Sequence, residues 1–140
     1  MKGQDLPGTL PKEMARLTYL KEIILTSNYL SGTIPREWGS LPLVWIRVGD
    51  SHFSGQIPDF IKNWTNLEIL RISDLSGPEA PFPPLEKMKD MKTLDLSFNK
   101  LTGEIPSNFD ALANVDYIFL TGNLLTGPVP TWTIGTTKNV

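Results

Sequence analysis

Arg47 and Arg71 stand 24 residues apart, and each follows by two residues a large apolar side chain, Trp45 and Ile69. Tyr117 and Phe119 carry the same two-residue offset further along. A guanidinium offers forked N–H donors that match a carboxylate, and aromatic and Arg side chains are the types that anchor partners at interfaces. That is the chemistry of recognition. Catalysis finds no comparable set. His52 is the only histidine and cysteine is absent, so a metal centre or a His-based triad has no second ligand or base. His52 falls in a turn and reads as a solvated loop residue. The carboxylates are scattered, and no glycine-rich phosphate cradle occurs. The expectation is therefore no catalytic residue, no cofactor and no metal.

Bulk properties remove further classes. The net charge is −2, from 13 basic and 15 acidic residues, which makes no electrostatic case for nucleic acid. No run of about 18 apolar residues exists to span a bilayer. The chain opens polar and shows no signal peptide. Its 140 residues suffice for one domain.

Placing residues 24 apart on one surface requires a repeating unit. Residues 94–106 read LDLSFNKLTGEIP, with Leu94, Leu96, Asn99, Leu101, Gly103, Ile105 and Pro106 at fixed offsets. Ile118, Leu120, Asn123, Leu125, Gly127, Val129 and Pro130 fill the same seven slots, as do Ile23, Leu25, Asn28, Leu30, Gly32, Ile34 and Pro35. This is a leucine-rich-repeat pattern, with a period inside the usual range of roughly 20 to 29 residues. With its Gly-x-Ile-Pro tail, the pattern resembles the plant-specific type. The expected fold is a leucine-rich-repeat solenoid, mostly β and irregular. One short, curved parallel sheet of about five strands is expected, centred on Ile23/Leu25, Ile46/Val48, Leu70/Ile72, Leu94/Leu96 and Ile118/Leu120.

Each slot has a physical reason. Residues two apart share one side of a strand, so Leu94 and Leu96 face the core. Asn28, Asn99 and Asn123 stand where the chain leaves the strand; an amide both donates and accepts, so a buried ladder bonded to backbone is expected. Ser51 replaces the amide in the second repeat and predicts a weaker rung there. Residues 73–84, SDLSGPEAPFPP, hold four prolines, a density that excludes a regular strand or helix and predicts an extended convex crossing.

Residues 1–140 read as a single domain of about five repeats, incomplete at both ends. Leu17, Leu20, Ile23 and Leu25 form the first core row. Phe109, Leu112 and Val115 open the fifth repeat; Trp132 and Ile134 follow it, and Val140 could begin another strand. Uncapped ends predict self-association. Strand alternation turns three columns outward on the concave side. These are Glu22, Trp45, Ile69, Thr93, Tyr117; then Ile24, Arg47, Arg71, Asp95, Phe119; then Thr26, Gly49, Ser73, Ser97, Thr121. Trp45, Arg47, Ile69, Arg71, Tyr117 and Phe119 are the candidate partner-binding set, with Arg47 and Arg71 as stacked cations. Residues 78–84 are the second choice. Asn63-Trp64-Thr65 is the only N-x-[ST] sequon and makes Asn63 a candidate glycosylation site.

Residues 71–85, RISDLSGPEAPFPPL, narrow the resemblance. With KGQDLPGTLP, LKEIILTSNYLSGTIP, LDLSFNKLTGEIP and DYIFLTGNLLTGPVP, they resemble the ectodomain of one subfamily of plant leucine-rich-repeat receptor-like serine/threonine kinases. In that subfamily a malectin-like domain, a membrane span and a cytoplasmic kinase follow the repeats. The resemblance covers nearly the whole chain. One repeat usual between the Pro-rich segment and LDLSFNK is missing here, as are the capping cysteines and the kinase. The resemblance implies a glycoprotein module for signal transduction on the extracellular side of the plasma membrane, or a secreted one. Its partners would be a protein, a peptide or a cell-wall carbohydrate, and a co-receptor. Two alternatives are a secreted inhibitor of a cell-wall-degrading enzyme and an ice-binding solenoid. The latter wants a flat row of Thr or Asn, whereas these columns mix Trp, Arg, Asp and Phe.

Overall fold

The computed structural model describes residues 2–107, 112 and 115–131. Phe109, Trp132, Ile134 and Val140 lie outside them. The chain forms eleven short strands: β1 (Pro7–Thr9), β2 (Glu22–Ile24), β3 (Tyr29–Gly32), β4 (Trp45–Val48), β5 (His52–Phe53), β6 (Ile69–Ile72), β7 (Ala80–Pro81), β8 (Thr93–Asp95), β9 (Leu101–Glu104), β10 (Tyr117–Phe119) and β11 (Leu124–Thr126). β2, β4, β6, β8 and β10 pair in that order as a five-stranded parallel sheet. Ile23, Ile46, Leu70, Leu94 and Ile118 align across it and are all buried.

Convex 3-10 turns return the chain at Lys12–Arg16, Arg36–Ser40 and Asp59–Asn63. Each follows a proline (Pro11, Pro35, Pro58) with extended ψ, so the fixed ring φ leads the chain straight into the turn. Behind them the core is sealed by Trp38 and Trp64, both essentially inaccessible. Burying an indole requires a partner for its N–H. Trp38 Nε1 donates to Pro11 O and Trp64 Nε1 to Trp38 O, each at 3.0 Å, so one repeat's turn is tied to the next.

The one-sheet expectation is corrected by the segments after the strand turns. There the L-x-G-x run is itself extended and pairs with its neighbour. β1, β3 and β5 form one three-stranded parallel sheet, and β7, β9 and β11 a second. The break between them falls in residues 73–84. The sequence excluded a strand here, yet Ala80–Pro81 is one. Ala80 N–H donates to Lys100 O at 3.4 Å, and Pro81 is tolerated because β7 is an edge strand. The gap is bridged by Ser76, whose N–H and hydroxyl both donate to Phe53 O, and by the Gln56 amide donating to Glu79 O. Gly77 is required by space: a Cβ there would sit on the Gly55 carbonyl.

The asparagines hold the turns together. Asn28 Oδ1 accepts from the N–H groups of Gln4 and Leu6, and its Nδ2 donates to Leu25 O and Thr26 O. Asn99 Oδ1 accepts from Leu75 N–H, while its Nδ2 donates to Ile72 O and Leu96 O. Asn123 accepts from Asn99 and Leu101 and donates to Leu96 and Leu120. Asn28 and Asn99 are buried; Asn123 is only half-buried, a departure from the expectation. Ser51 makes fewer bonds than the amide rungs, both of them to the Asn28 backbone. Its hydroxyl donates to Asn28 O at 2.9 Å and takes Asn28 N–H at 3.3 Å. Leu17 is 54% exposed rather than core.

Candidate functional site: a concave recognition face

Parallel pairing without slippage stacks equal slots from row to row. Trp45 pairs with Ile69 and Ile69 with Thr93, while Arg47 pairs with Arg71 and Arg71 with Asp95. Tyr117 and Phe119 complete the two columns on β10. Strand alternation with the buried Ile46, Leu70 and Ile118 turns these side chains outward. Trp45, Arg47, Ile69 and Arg71 are half-buried, whereas Tyr117 and Phe119 are 46% and 39% exposed. The Tyr117 and Phe119 rings are parallel, with centroids 6.4 Å apart.

The stacked cation pair takes a different form from the one expected. Arg71 turns to the next row, placing Nε 2.9 Å from Asp95 Oδ2. The contact is an ion pair by distance without an aligned N–H, since Arg71 Nε has no hydrogen-bond partner. Like-charge repulsion with Arg47 and attraction to Asp95 both favour this turn. Among the described residues Arg47 forms no ion pair, and its Nε is inaccessible and without a hydrogen bond. Both arginines line a groove of ≈380 Å³ with Asp50, Asp74, Asp95 and Phe98. Arg47, which shares the groove with Lys2, is thus a candidate to take an anion from a partner.

Phe98 is the functional candidate that sequence reasoning missed. The residue before each ladder slot adopts left-handed backbone: Gly3, Ser27, Asp50, Asp74, Phe98 and Gly122 all have positive φ. Glycine accepts this freely and a bulky residue does not, at a cost on the order of 1 kcal/mol. Phe98 is the one bulky member, is 53% exposed, and lies against Gly122, where a Cβ would collide with its ring. The signal in the sequence was its slot: Ser27, Asp50, Asp74 and Gly122 are small or turn-forming, and Phe98 is neither.

The second-choice region also forms a groove, of ≈450 Å³, lined by Gln56 to Asp59 and by Ala80 to Pro84. His52 is exposed but lies in β5, stacked with Tyr29 at 6.4 Å. Among the described residues no group of three His, Cys, Asp or Glu could hold a metal, and no helix is long and apolar enough to cross a membrane.

Comparison with known proteins places this geometry in context. The family model described as Leucine Rich Repeat matches residues 19–41 and 90–112. A probable leucine-rich repeat receptor-like serine/threonine-protein kinase of Arabidopsis thaliana is 50% identical over 46 residues, which is 33% of this chain and 4% of that protein. A second such kinase is 50% identical over 50 residues, 36% of this chain and 5% of that protein. The chain therefore spans only a small fraction of the length of these relatives. Among solved structures, the Arabidopsis receptor kinase HAESA in complex with the peptide hormone IDA and the co-receptor SERK1 is 33% identical. That match covers 99% of this chain and 24% of that one, with a TM-score of 0.89. A plant ice-binding protein is 32% identical over 99% of this chain and 46% of its own, with a TM-score of 0.87. By repeat spacing, family-model match and fold, the chain is a leucine-rich-repeat solenoid similar to the ectodomains of plant leucine-rich-repeat receptor kinases.

Proposed function

We propose that this chain is an extracellular ligand- or co-receptor-binding module of a plant receptor-like kinase, displayed at the plasma membrane. The observation that carries this is the concave face. Its columns bring Trp45, Arg47, Ile69, Arg71, Tyr117 and Phe119 onto one sheet, beside a groove in which Arg47 forms no ion pair among the described residues. A peptide lying along such a face would set apolar side chains on the aromatic residues and a carboxylate on Arg47. Phe98 adds an exposed ring just after β8, against Gly122. Similar ectodomains are found with peptide hormones and a co-receptor, which supports the same class of partner here. A malectin-like domain and a kinase elsewhere in the same protein are part of this proposal, and a cell-wall carbohydrate is its next partner class.

The test is a displayed peptide library panned on the folded domain, followed by titration of the selected peptides. Trp45→Ala, Phe119→Ala and Arg47→Ala should each weaken binding by about 2 kcal/mol, roughly thirtyfold, if they anchor it. Unchanged affinity in all three would move the site to the groove beside Pro83 and Pro84.

Similarity to an ice-binding protein favours a second reading. Against it, three of the hydroxyls outside the concave sheet are engaged internally. Ser31 Oγ donates to Gly8 O, Ser76 Oγ to Phe53 O and Thr102 Oγ1 to Ala80 O. Absence of thermal hysteresis in a cooled solution would set this reading aside; its presence would replace the receptor reading.

A further inference from the structure

Asn63 differs from the ladder asparagines in every respect that matters for chemistry. Asn28, Asn99 and Asn123 spend both amide functions on backbone groups. Asn63 ends the convex turn Asp59–Asn63, is exposed, and its carboxamide enters none of these bonds. It leads the sequon Asn63-Trp64-Thr65, in which Thr65 is exposed too and only Trp64 is buried. Its neighbour in the preceding turn is Gly39, whose backbone is not left-handed and so gives no conformational reason for glycine. The reason is room. A Cβ on Gly39 would stand 3.3 Å from Phe60 and 3.4 Å from Asn63 Nδ2.

We propose that Asn63 carries an N-linked glycan, and that this glycan covers the convex side around Gly39 and Lys62 and leaves the concave face for the partner. The transfer uses a lipid-linked oligosaccharyl pyrophosphate, the donor of the secretory pathway. Nδ2 attacks the anomeric carbon of the first N-acetylglucosamine. The bond from that carbon to the pyrophosphate oxygen breaks, the lipid pyrophosphate leaves, and one amide proton is lost. Thr65 supplies the hydroxyl that the sequon requires. The product is compatible with the fold because Asn63 is exposed and the residue next to its Nδ2 is a glycine, with no side chain to displace. No ladder asparagine could be modified without breaking its rung. None of them begins a sequon either, so one position is available on the chain. A sugar tree there would also crowd the turn that begins at Asp59, which lines the Pro-rich groove. The glycan thereby selects between the two candidate partner sites.

The experiment expresses the full chain behind a secretion signal in plant cells, as wild type, Asn63→Gln and Thr65→Ala. Intact mass and glycopeptide sequencing of the folded product should show one N-glycan on wild type and none on either variant. Circular dichroism should be the same for all three, because Asn63 and Thr65 are both exposed. Wild type that is secreted, folded and unmodified at Asn63 overturns the proposal. The covering is tested by amine acetylation, with exposed Lys62 compared with exposed Lys92. Lys62 should react more slowly in the glycoform than in Asn63→Gln, while Lys92 is unchanged; equal Lys62 rates overturn the covering. The proposal rests on the extracellular placement above, but none of these readouts involves a ligand, so they fail separately from the concave-face reading.

Discussion

Asn99→Ala tests what holds successive repeats together. The side chain accepts Leu75 N–H at 3.2 Å and donates to Ile72 O at 2.6 Å and to Leu96 O at 3.0 Å. Its loss is not felt equally by the three partners. Leu96 O keeps the bond from Asn123 Nδ2 at 2.9 Å. Leu75 N–H and Ile72 O lose the amide inside a core where Leu75 and Ile72 are themselves buried. Each buried group left without its partner costs about 1–3 kcal/mol, and water entering the space vacated by the amide recovers part of this. A net loss of about 3 kcal/mol follows, equivalent to a fall of about 10 °C in melting temperature for a chain of this length. Urea unfolding followed by far-ultraviolet circular dichroism and tryptophan fluorescence would measure it, since Trp38 and Trp64 are buried reporters. Asn99→Asp separates hydrogen bonding from packing. It is isosteric and keeps an acceptor, but sets a carboxylate against two carbonyls, so it should cost at least as much as alanine. Asn123→Ala should cost less than Asn99→Ala, because water reaches the half-buried Asn123 site and replaces lost partners. A change within 0.5 kcal/mol of wild type for Asn99→Ala, roughly the scatter of neutral surface substitutions, would refute the ladder account.

Other substitutions probe the fold at different points. Phe98→Asn relieves left-handed strain at an exposed site, so its melting point should match or exceed that of wild type while peptide binding falls; a lower melting point with binding retained would make Phe98 a packing residue only. Gly77→Ala should destabilise by 2 kcal/mol or more, on the order of an overpacked core change, because its Cβ meets backbone that cannot yield. Gly103→Ala, with open space but φ of 79°, should cost only about 1 kcal/mol, so equal losses at the two glycines would contradict the distinction. A double-mutant cycle on Arg71 and Asp95 should give under about 1 kcal/mol, because the Arg71 side chain is 38% exposed and the pair is screened.

What could be read in advance follows the period of the chain. Leu94 and Leu96 announce a strand by their spacing of two, and Ile118 and Leu120 place the next strand beside it by repeating that spacing 24 residues on. Equal slots meet in the concave sheet, so its columns were legible. The outer sheets obey another register. Thr9 pairs with Ser31 and Thr102 with Leu124, a separation of 22 rather than 24, so different slots meet and slot counting does not reveal them. Side-chain choice within a column was half legible. Asp95 stood one row beyond Arg71, close enough to claim it, and only the rotamer decides which neighbour an arginine faces. Phe98 shows where the limit lies. Its slot identifies a turn, but that the turn is left-handed and that Gly122 receives the ring are facts of backbone geometry between rows. A repeat protein makes its scaffold redundant in sequence, and recognition is written in the residues that break the redundancy. On this chain the residues proposed for that role are Arg47, Phe98 and Phe119 on the concave side, with Asn63 proposed to carry a glycan on the convex side.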